Sequence, residues 1–179
     1  AIMLLYDQQR TMYESGQHSV PNRIVSLAQH WVRPIVRGKQ NAEVEFGAKV
    51  EMSMVDGYLR IERLSWDAFN EGTTLIDSVE AYRHDYGHYP KRVLVDKIFR
   101  TRGNLDYCKL HKIRISGPKL GRPPKDEALL RQQIREEWLE SGERAKIERR
   151  FGIGKTRYTL DCLMTKFKET SGTSIHTSV

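Results

Sequence analysis

The sequence predicts an α/β protein in which short strands alternate with helices. An alternating apolar pattern at residues 43–66, interrupted by the turn signal Asp56-Gly57, is typical of two antiparallel strands joined by a hairpin. Apolar residues recur at helical spacing over 74–86, which predicts a helix. The β-branched run 93–95 predicts a short buried strand.

The other elements follow from the same signals. We predict a helix at 2–14, a strand or ordered loop within 22–39, a short helix at 104–111, a brief strand at 113–115, a long helix from 126 and an amphipathic segment near 160–167. Trp31, Trp66 and Trp138 lie in strongly patterned segments and are expected in the core. One domain is expected over 1–179, with residues 171–179 as a frayed tail.

Composition narrows the class of protein. The chain has 179 residues, of which 39% are hydrophobic, enough for one domain with a core. Neither a membrane-spanning run nor a signal-peptide pattern is evident, and only Cys108 and Cys162 are present. These features favour a cytoplasmic protein with no membrane partner and no disulfide framework.

Charge is distributed unevenly along the chain. Residues 1–90 carry 9 Lys+Arg against 12 Asp+Glu, whereas residues 91–168 carry 21 against 10. A basic half of this kind is expected of a surface that binds nucleic acid, although solvated basic helices share it.

One carboxylate, Asp96, follows the predicted strand at 93–95. Ligands of open α/β sheets bind beyond the carboxyl ends of the strands, so Asp96 is a candidate active-site residue. It could equally start a turn or cap the helix near Asn104. Three neighbouring cations are candidates for phosphate contacts, namely Lys97, Arg100 and Arg102.

A second carboxylate, Glu148, lies between two cations in the long helical pattern. The spacing brings Arg144, Glu148 and Lys155 back to one helix face. An ordinary salt-bridged helix explains this pattern. The functional interpretation pairs Glu148 with Asp96 as ligands of Mg²⁺ or Mn²⁺, while Arg144 and Lys155 bind phosphate.

Several stretches of the chain resemble one protein family, the DDE transposases of bacterial insertion sequences. The similar stretches are 33–39, 64–71, 95–104, 115–125 and 147–155, in that order. In the wider family an R-x3-E-x6-K signature surrounds the last acid, and Arg144, Glu148 and Lys155 keep this spacing. The family has a Tyr three residues before the Arg, where this chain has Ser141.

The resemblance implies an RNase H-like fold, in which a mixed five-stranded sheet is flanked by helices. Its three acids lie on the first strand, the fourth strand and a late helix, so Asp96 takes the second position and Glu148 the third. The first acid would precede the opening helix, so we expect the chain to lack its first strand. Asp56 is not a substitute, because Asp56-Gly57 suits a hairpin turn.

The implied activity is metal-dependent cleavage and transfer of DNA strands at transposon terminal inverted repeats. Two-metal phosphoryl transfer needs the full acidic set, so this chain alone is expected to be inactive. A non-catalytic DNA-binding remnant or domesticated regulator is the alternative. The resemblance leaves open whether the protein works as a homodimer on paired ends.

Two smaller signals were weighed. Arg122, within the basic connector 117–125, suits either a hook that enters an A/T-rich minor groove or a Pro-stiffened linker. His84 and His88 have the spacing of two zinc ligands, but no third ligand is evident nearby, so surface histidines are favoured.

Overall fold

The computed structural model describes residues 1–39, 42–117, 124, 126–160 and 162–179. The helices are α1 (Ile2–Ser15), α2 (Leu75–Tyr86), α3 (Arg102–Leu110), α4 (Glu127–Arg157) and α5 (Lys168–Thr177). The strands are β1 (Arg33–Lys39), β2 (Ala42–Gly47), β3 (Lys49–Val55), β4 (Tyr58–Ser65), β5 (Arg92–Val93) and β6 (Arg114–Ile115). Two 3₁₀ turns cover Glu71–Thr73 and Lys97–Phe99. The mixture of helices and small sheets agrees with the predicted α/β class.

The chain divides into two compact units. The first unit contains Ala1–Met52, Arg60–Phe69 and Lys155–Val179, and the second contains Ser53–Leu59 and Asn70–Gly154. The prediction of one domain over 1–179 stays a prediction. No helix within the described residues combines the length and apolarity needed to cross a membrane.

The strands form three separate two-stranded sheets in the described part of the chain: β1 with β2, β3 with β4, and β5 with β6. A continuous five-stranded sheet was expected and is not formed there. The β5–β6 pair is parallel and only two residues long on each side. The pairing ends at Val93, and two residues later the Ser116 side chain, rather than a strand, bonds the N–H and the carbonyl of Val95.

The predicted strand through residues 43–54 is two strands. β2 ends at Gly47, whose φ of +136° is a backbone conformation that favours glycine, and β3 begins at Lys49. β2 pairs antiparallel with β1, and β3 pairs with β4. The alternating apolar pattern of the sequence therefore continues from β2 into β3, although the two strands pair with different partners. The hairpin turn is confirmed, with positive φ at both Asp56 and Gly57.

The prediction of a frayed tail at residues 171–179 is also corrected, within the first unit. The Ser/Thr-rich tail is the helix α5 rather than a frayed end. Ile175 is buried, and the buried Ser171 hydroxyl donates to the Phe167 carbonyl at 2.8 Å. A hydroxyl that bonds the preceding turn lets this polar segment bury one face despite its composition.

The second unit has the core that positions the candidate site. Leu75 and Val79 of α2 pack with Cys108 of α3 and with Ile113 just before β6. Half-buried side chains surround this cluster, among them Val93, Val95, Phe99, Tyr107 and Ile115. The predicted helices at 74–86 and 104–111 are confirmed, and each places its apolar face in this core.

Helix α4 packs through its charged face. Glu140 is buried and binds Arg114 of β6 at 2.6 Å, and Glu143 binds Arg92 of β5 at 2.7 Å. Trp138 is 74% exposed, so its predicted core position is wrong. These ion pairs fix the rotation of the helix about its axis, which explains why the apolar side chains of Ile134 and Trp138, four residues apart, are exposed.

Candidate functional site

Asp96 lies three residues beyond β5, at the start of the 3₁₀ turn Lys97–Phe99. Its backbone is extended, and its side chain makes no capping hydrogen bond to that turn. It does not cap α3 either, because Thr101 does so by accepting from the Asn104 N–H. The Asp96 side chain is 63% exposed. Asp96 therefore starts a turn, as one of the alternatives predicted, although its side chain caps neither that turn nor α3. Its role as a site residue stays a prediction.

Arg144 of α4 joins the two predicted parts of the site. Its Nη1 lies 3.1 Å from Asp96 Oδ1 and donates to the Val95 carbonyl at 3.4 Å. The Nε of Arg144 is buried and has no hydrogen-bond partner among the described residues. The guanidinium is therefore directed to the end of β5 and neutralises the carboxylate there.

Glu148 is exposed and lies one turn beyond Arg144 on α4. Four residues advance a helix by about 6 Å and return to nearly the same face. Glu148 therefore lies on the same face of α4 as Arg144, the residue that contacts Asp96. Lys155 is an exposed residue of the same helix and belongs to the first unit.

Four predicted cations remain, of which the structure describes three. Lys97, which follows Asp96 directly, and Arg102, which begins α3, are both exposed, which suits contacts with phosphate. Arg100 is half-buried and its Nη1 donates to the Ser116 carbonyl. Arg122 lies outside the described residues. The phosphate-binding roles of all four stay predictions.

Two polar residues at the site were missed by the sequence analysis. Ser116 bonds both the N–H and the carbonyl of Val95, and Asn104 bonds the carbonyl of Phe99. Both are buried. They lie inside the similar stretches 95–104 and 115–125, so the resemblance could have drawn attention to them, whereas their types and spacing carried no signal.

The donor atoms fit a divalent ion in kind but only partly in number. Carboxylate oxygens are the ligands that Mg²⁺ prefers, and both Asp96 and Glu148 are accessible to solvent. No group of three or more His, Cys, Asp or Glu side chains suited to a metal occurs in the described parts of the chain. The proposed pair therefore supplies at most two protein ligands.

A cluster of polar side chains joins α2 to α3 beside the core of the second unit. Glu80 accepts hydrogen bonds from the hydroxyls of Tyr107 and Tyr89, and these bonds hold the pKa of its carboxyl below the ordinary value. Burial raises the pKa of Tyr107, and its bond to Glu80 adds to that shift. Arg83 donates to the Tyr89 hydroxyl at 2.9 Å and covers the Tyr89 ring. The cluster ties the two helices together.

Comparison with known families bears directly on the segment that contains this site. Residues 93–179 match the family model of the transposase DDE domain. This segment is just under half of the chain, and its similarity to the transposase DDE domain supports a DDE transposase. The match begins at the last residue of β5 and includes Asp96, Arg144 and Glu148. The recognition from sequence is thereby confirmed at the level of the DDE transposase family. The similar stretches at 33–39 and 64–71 lie outside the matched range. No curated protein and no solved structure matches the chain.

Proposed function

We propose that this chain is a portion of the RNase H-like catalytic domain of a bacterial insertion-sequence transposase. Its substrate is double-stranded DNA carrying terminal inverted repeats, and it acts in the cytoplasm, at the nucleoid. The observation that supports the proposal is the Asp96–Arg144 ion pair, which brings the helix of Glu148 beside the turn of Asp96. Both carboxylates lie within the segment that matches the transposase DDE domain.

Asp96 and Glu148 are the proposed ligands of Mg²⁺ or Mn²⁺. A divalent ion bound there supplies activation of the attacking oxygen and stabilisation of the leaving oxygen in phosphoryl transfer. The chain's own contribution is to hold two carboxylates on separate supports, one on a turn and one on a helix. Neither carboxylate contacts the core, so both can approach a ligand from solvent.

Arg144 has two roles in this proposal. It neutralises Asp96 through the 3.1 Å ion pair, which limits repulsion between that carboxylate and an approaching DNA phosphate. Guanidinium groups also bind phosphate through paired N–H donors, so Arg144 is placed to hold the scissile group. Lys97 and Arg102 are exposed and are the further proposed phosphate contacts.

The proposed pair is two-thirds of the acidic set that the resemblance implies. Two-metal transfer requires the complete set, since one ion must serve the attacking oxygen and the other the leaving oxygen. We therefore propose that strand cleavage requires a further carboxylate from a segment other than Asp96, Glu148 and their neighbours. The chain alone then binds DNA and an ion without completing cleavage.

The test is metal-dependent nicking of a labelled duplex that carries candidate terminal repeats. It compares this chain with an extended form, to which an amino-terminal segment that supplies a further carboxylate has been added, in Mg²⁺ and in Mn²⁺. We expect cleavage by the extended form only, and we expect Asp96→Asn and Glu148→Gln each to abolish it. The matched controls are Asp106→Asn, an exposed carboxylate on α3, and Glu137→Gln on α4. Cleavage that survives both site substitutions would disprove the assignment of these ligands.

One observation favours the alternative of a non-catalytic DNA-binding remnant. Residues 91–168 carry 21 Lys+Arg against 10 Asp+Glu, and this excess of positive charge serves DNA binding without any metal site. On that alternative the basic half of the chain binds DNA with strong salt dependence. The extended form would then show no cleavage, and the substitutions at Asp96 and Glu148 would leave DNA affinity unchanged.

A further inference from the structure

The turn that carries Asp96 begins where the β5–β6 sheet ends. The last regular bond of this parallel pair runs from the Ser116 N–H to the Val93 carbonyl at 3.0 Å. Beyond it the Ser116 side chain replaces a strand. The Val95 N–H donates to Ser116 Oγ at 2.8 Å, and Ser116 Oγ donates to the Val95 carbonyl at 3.2 Å. One hydroxyl thus satisfies both backbone groups of the residue that precedes Asp96.

The far end of the same turn is held by Asn104. Its Nδ2 donates to the Phe99 carbonyl at 2.7 Å and to the Gly72 carbonyl at 2.8 Å. Asn104 is 3% exposed, its bond to Gly72 is buried, and its bond to Phe99 is partly buried. A Cβ added at Gly72 would lie 2.7 Å from the Ile98 carbonyl, which shows how closely the turn packs there. The turn is therefore attached to α3 and to the segment before α2.

These contacts restrict the backbone conformation at Asp96. Side chains bond the residue before it and the third residue after it, and Arg144 bonds its carboxylate. Ser116 is 6% exposed and Asn104 3%, so neither is placed to touch a substrate. Groups that hydrogen-bond a metal ligand directly commonly alter metal affinity by tenfold to a hundredfold when they are replaced, and residues that hold its backbone act at the lower end of that range.

We propose that Ser116 and Asn104 are positioning residues, which fix Asp96 in the orientation needed to bind a divalent ion. The inference rests on the proposed function, because it gives Asp96 the role of a ligand. It adds two residues that hold the ligand's backbone rather than the ion. Ser116 is the more informative of the two, because Ser→Ala removes the hydroxyl with little change in volume.

The test measures backbone order and ion affinity separately, on the complete chain. Amide hydrogen exchange at Val95 reports the bond to Ser116, and titration with Mn²⁺ alone reports ion binding. We expect Ser116→Ala to accelerate exchange at Val95 about tenfold, as the loss of one net hydrogen bond implies. We expect it to weaken Mn²⁺ binding about tenfold as well. Ser116→Thr, which keeps the hydroxyl, should restore both values towards those of the wild type.

Ser78→Ala is the matched control. Ser78 is a half-buried serine of the same unit whose hydroxyl donates to the Thr74 carbonyl within α2. It should change neither Val95 exchange nor Mn²⁺ affinity. The proposal is overturned if Ser116→Ala leaves exchange at Val95 unchanged, or if exchange rises while Mn²⁺ affinity stays at the wild-type value. If Asp96→Asn does not weaken Mn²⁺ binding, the proposed function fails first, and the positioning role falls with it.

Discussion

The two candidate carboxylates are supported by different kinds of structure. Glu148 lies within the 31-residue helix α4, where the backbone is held by its own regular hydrogen bonds. Asp96 lies on an irregular turn, where buried side chains from other segments bond the backbone in place of a strand. A helix can therefore carry a functional residue on local bonding alone, whereas the turn depends on contacts distant in sequence.

The largest expected effect breaks the turn at its far end. Asn104→Ala removes one buried and one partly buried hydrogen bond, to the carbonyls of Gly72 and Phe99 respectively. We expect the free energy of unfolding to fall by about 2–3 kcal/mol, because buried unsatisfied groups cost roughly 1–3 kcal/mol each. Chemical denaturation measures it. Asp106→Ala, at an exposed position of α3, is the control, and a loss as small as that of the control would contradict the role of Asn104.

The difference between local bonding and contacts distant in sequence also explains how much could be predicted from the sequence. Helices α2 and α3 and the hairpin turn at Asp56 and Gly57 were predicted, because period and turn chemistry are local signals. The extent of the strand at Asp96 was overestimated, because its apolar run does not reveal where parallel pairing stops. The bonds of Ser116 to Val95 join residues 21 positions apart, which no periodic pattern encodes.

The orientation of α4 was mistaken for a related reason. Periodicity identifies an apolar stripe but cannot tell whether that stripe is buried. Here Glu140 enters a buried ion pair, and Trp138 on the other side is exposed. The spacing of Arg144 and Glu148 was read from the sequence, whereas the contact of Arg144 with Asp96 became visible only in the structure.

The second prediction weakens the support of the helix without touching the turn. Glu140→Gln removes the charge that faces Arg114 of β6, one helical turn before Arg144. We expect a loss of about 1 kcal/mol in unfolding free energy, because the glutamate is buried while Arg114 is half in solvent and its pairing is screened. Thermal and chemical denaturation measure this loss, and Glu137→Gln on the same helix is the control. Equal stability of the two variants would show that the ion pair does not hold α4.

The third prediction strengthens the helix alone. Gly142 lies inside α4, and an added Cβ there would meet nothing within 4 Å. Gly142→Ala should raise the free energy of unfolding by about 0.5–1 kcal/mol, because alanine is the better helix former. Gly87→Ala is the opposing control: Gly87 ends α2 with φ of +75°, so the same substitution there should destabilise the protein. A loss of stability in Gly142→Ala would mean that this face of α4 is covered.

The smallest expected effect is on the pH dependence of stability, through the α2–α3 contact next to the turn. Glu80 of α2 accepts bonds from Tyr107 and Tyr89, and its pKa lies below the ordinary value in the folded protein. A carboxyl with a lowered folded pKa stabilises the fold above its unfolded pKa, and this contribution is lost as the pH falls through the folded value. Unfolding free energies measured from pH 7 down to pH 3 should therefore fall less steeply for Glu80→Gln than for the wild type. Tyr107→Phe removes one of the donors and should also flatten the profile. If both variants kept the wild-type slope of unfolding free energy against pH, the acid sensitivity would arise outside the α2–α3 contact. The turn of Asp96 would then be supported by the core and by Asn104 without a contribution from Glu80.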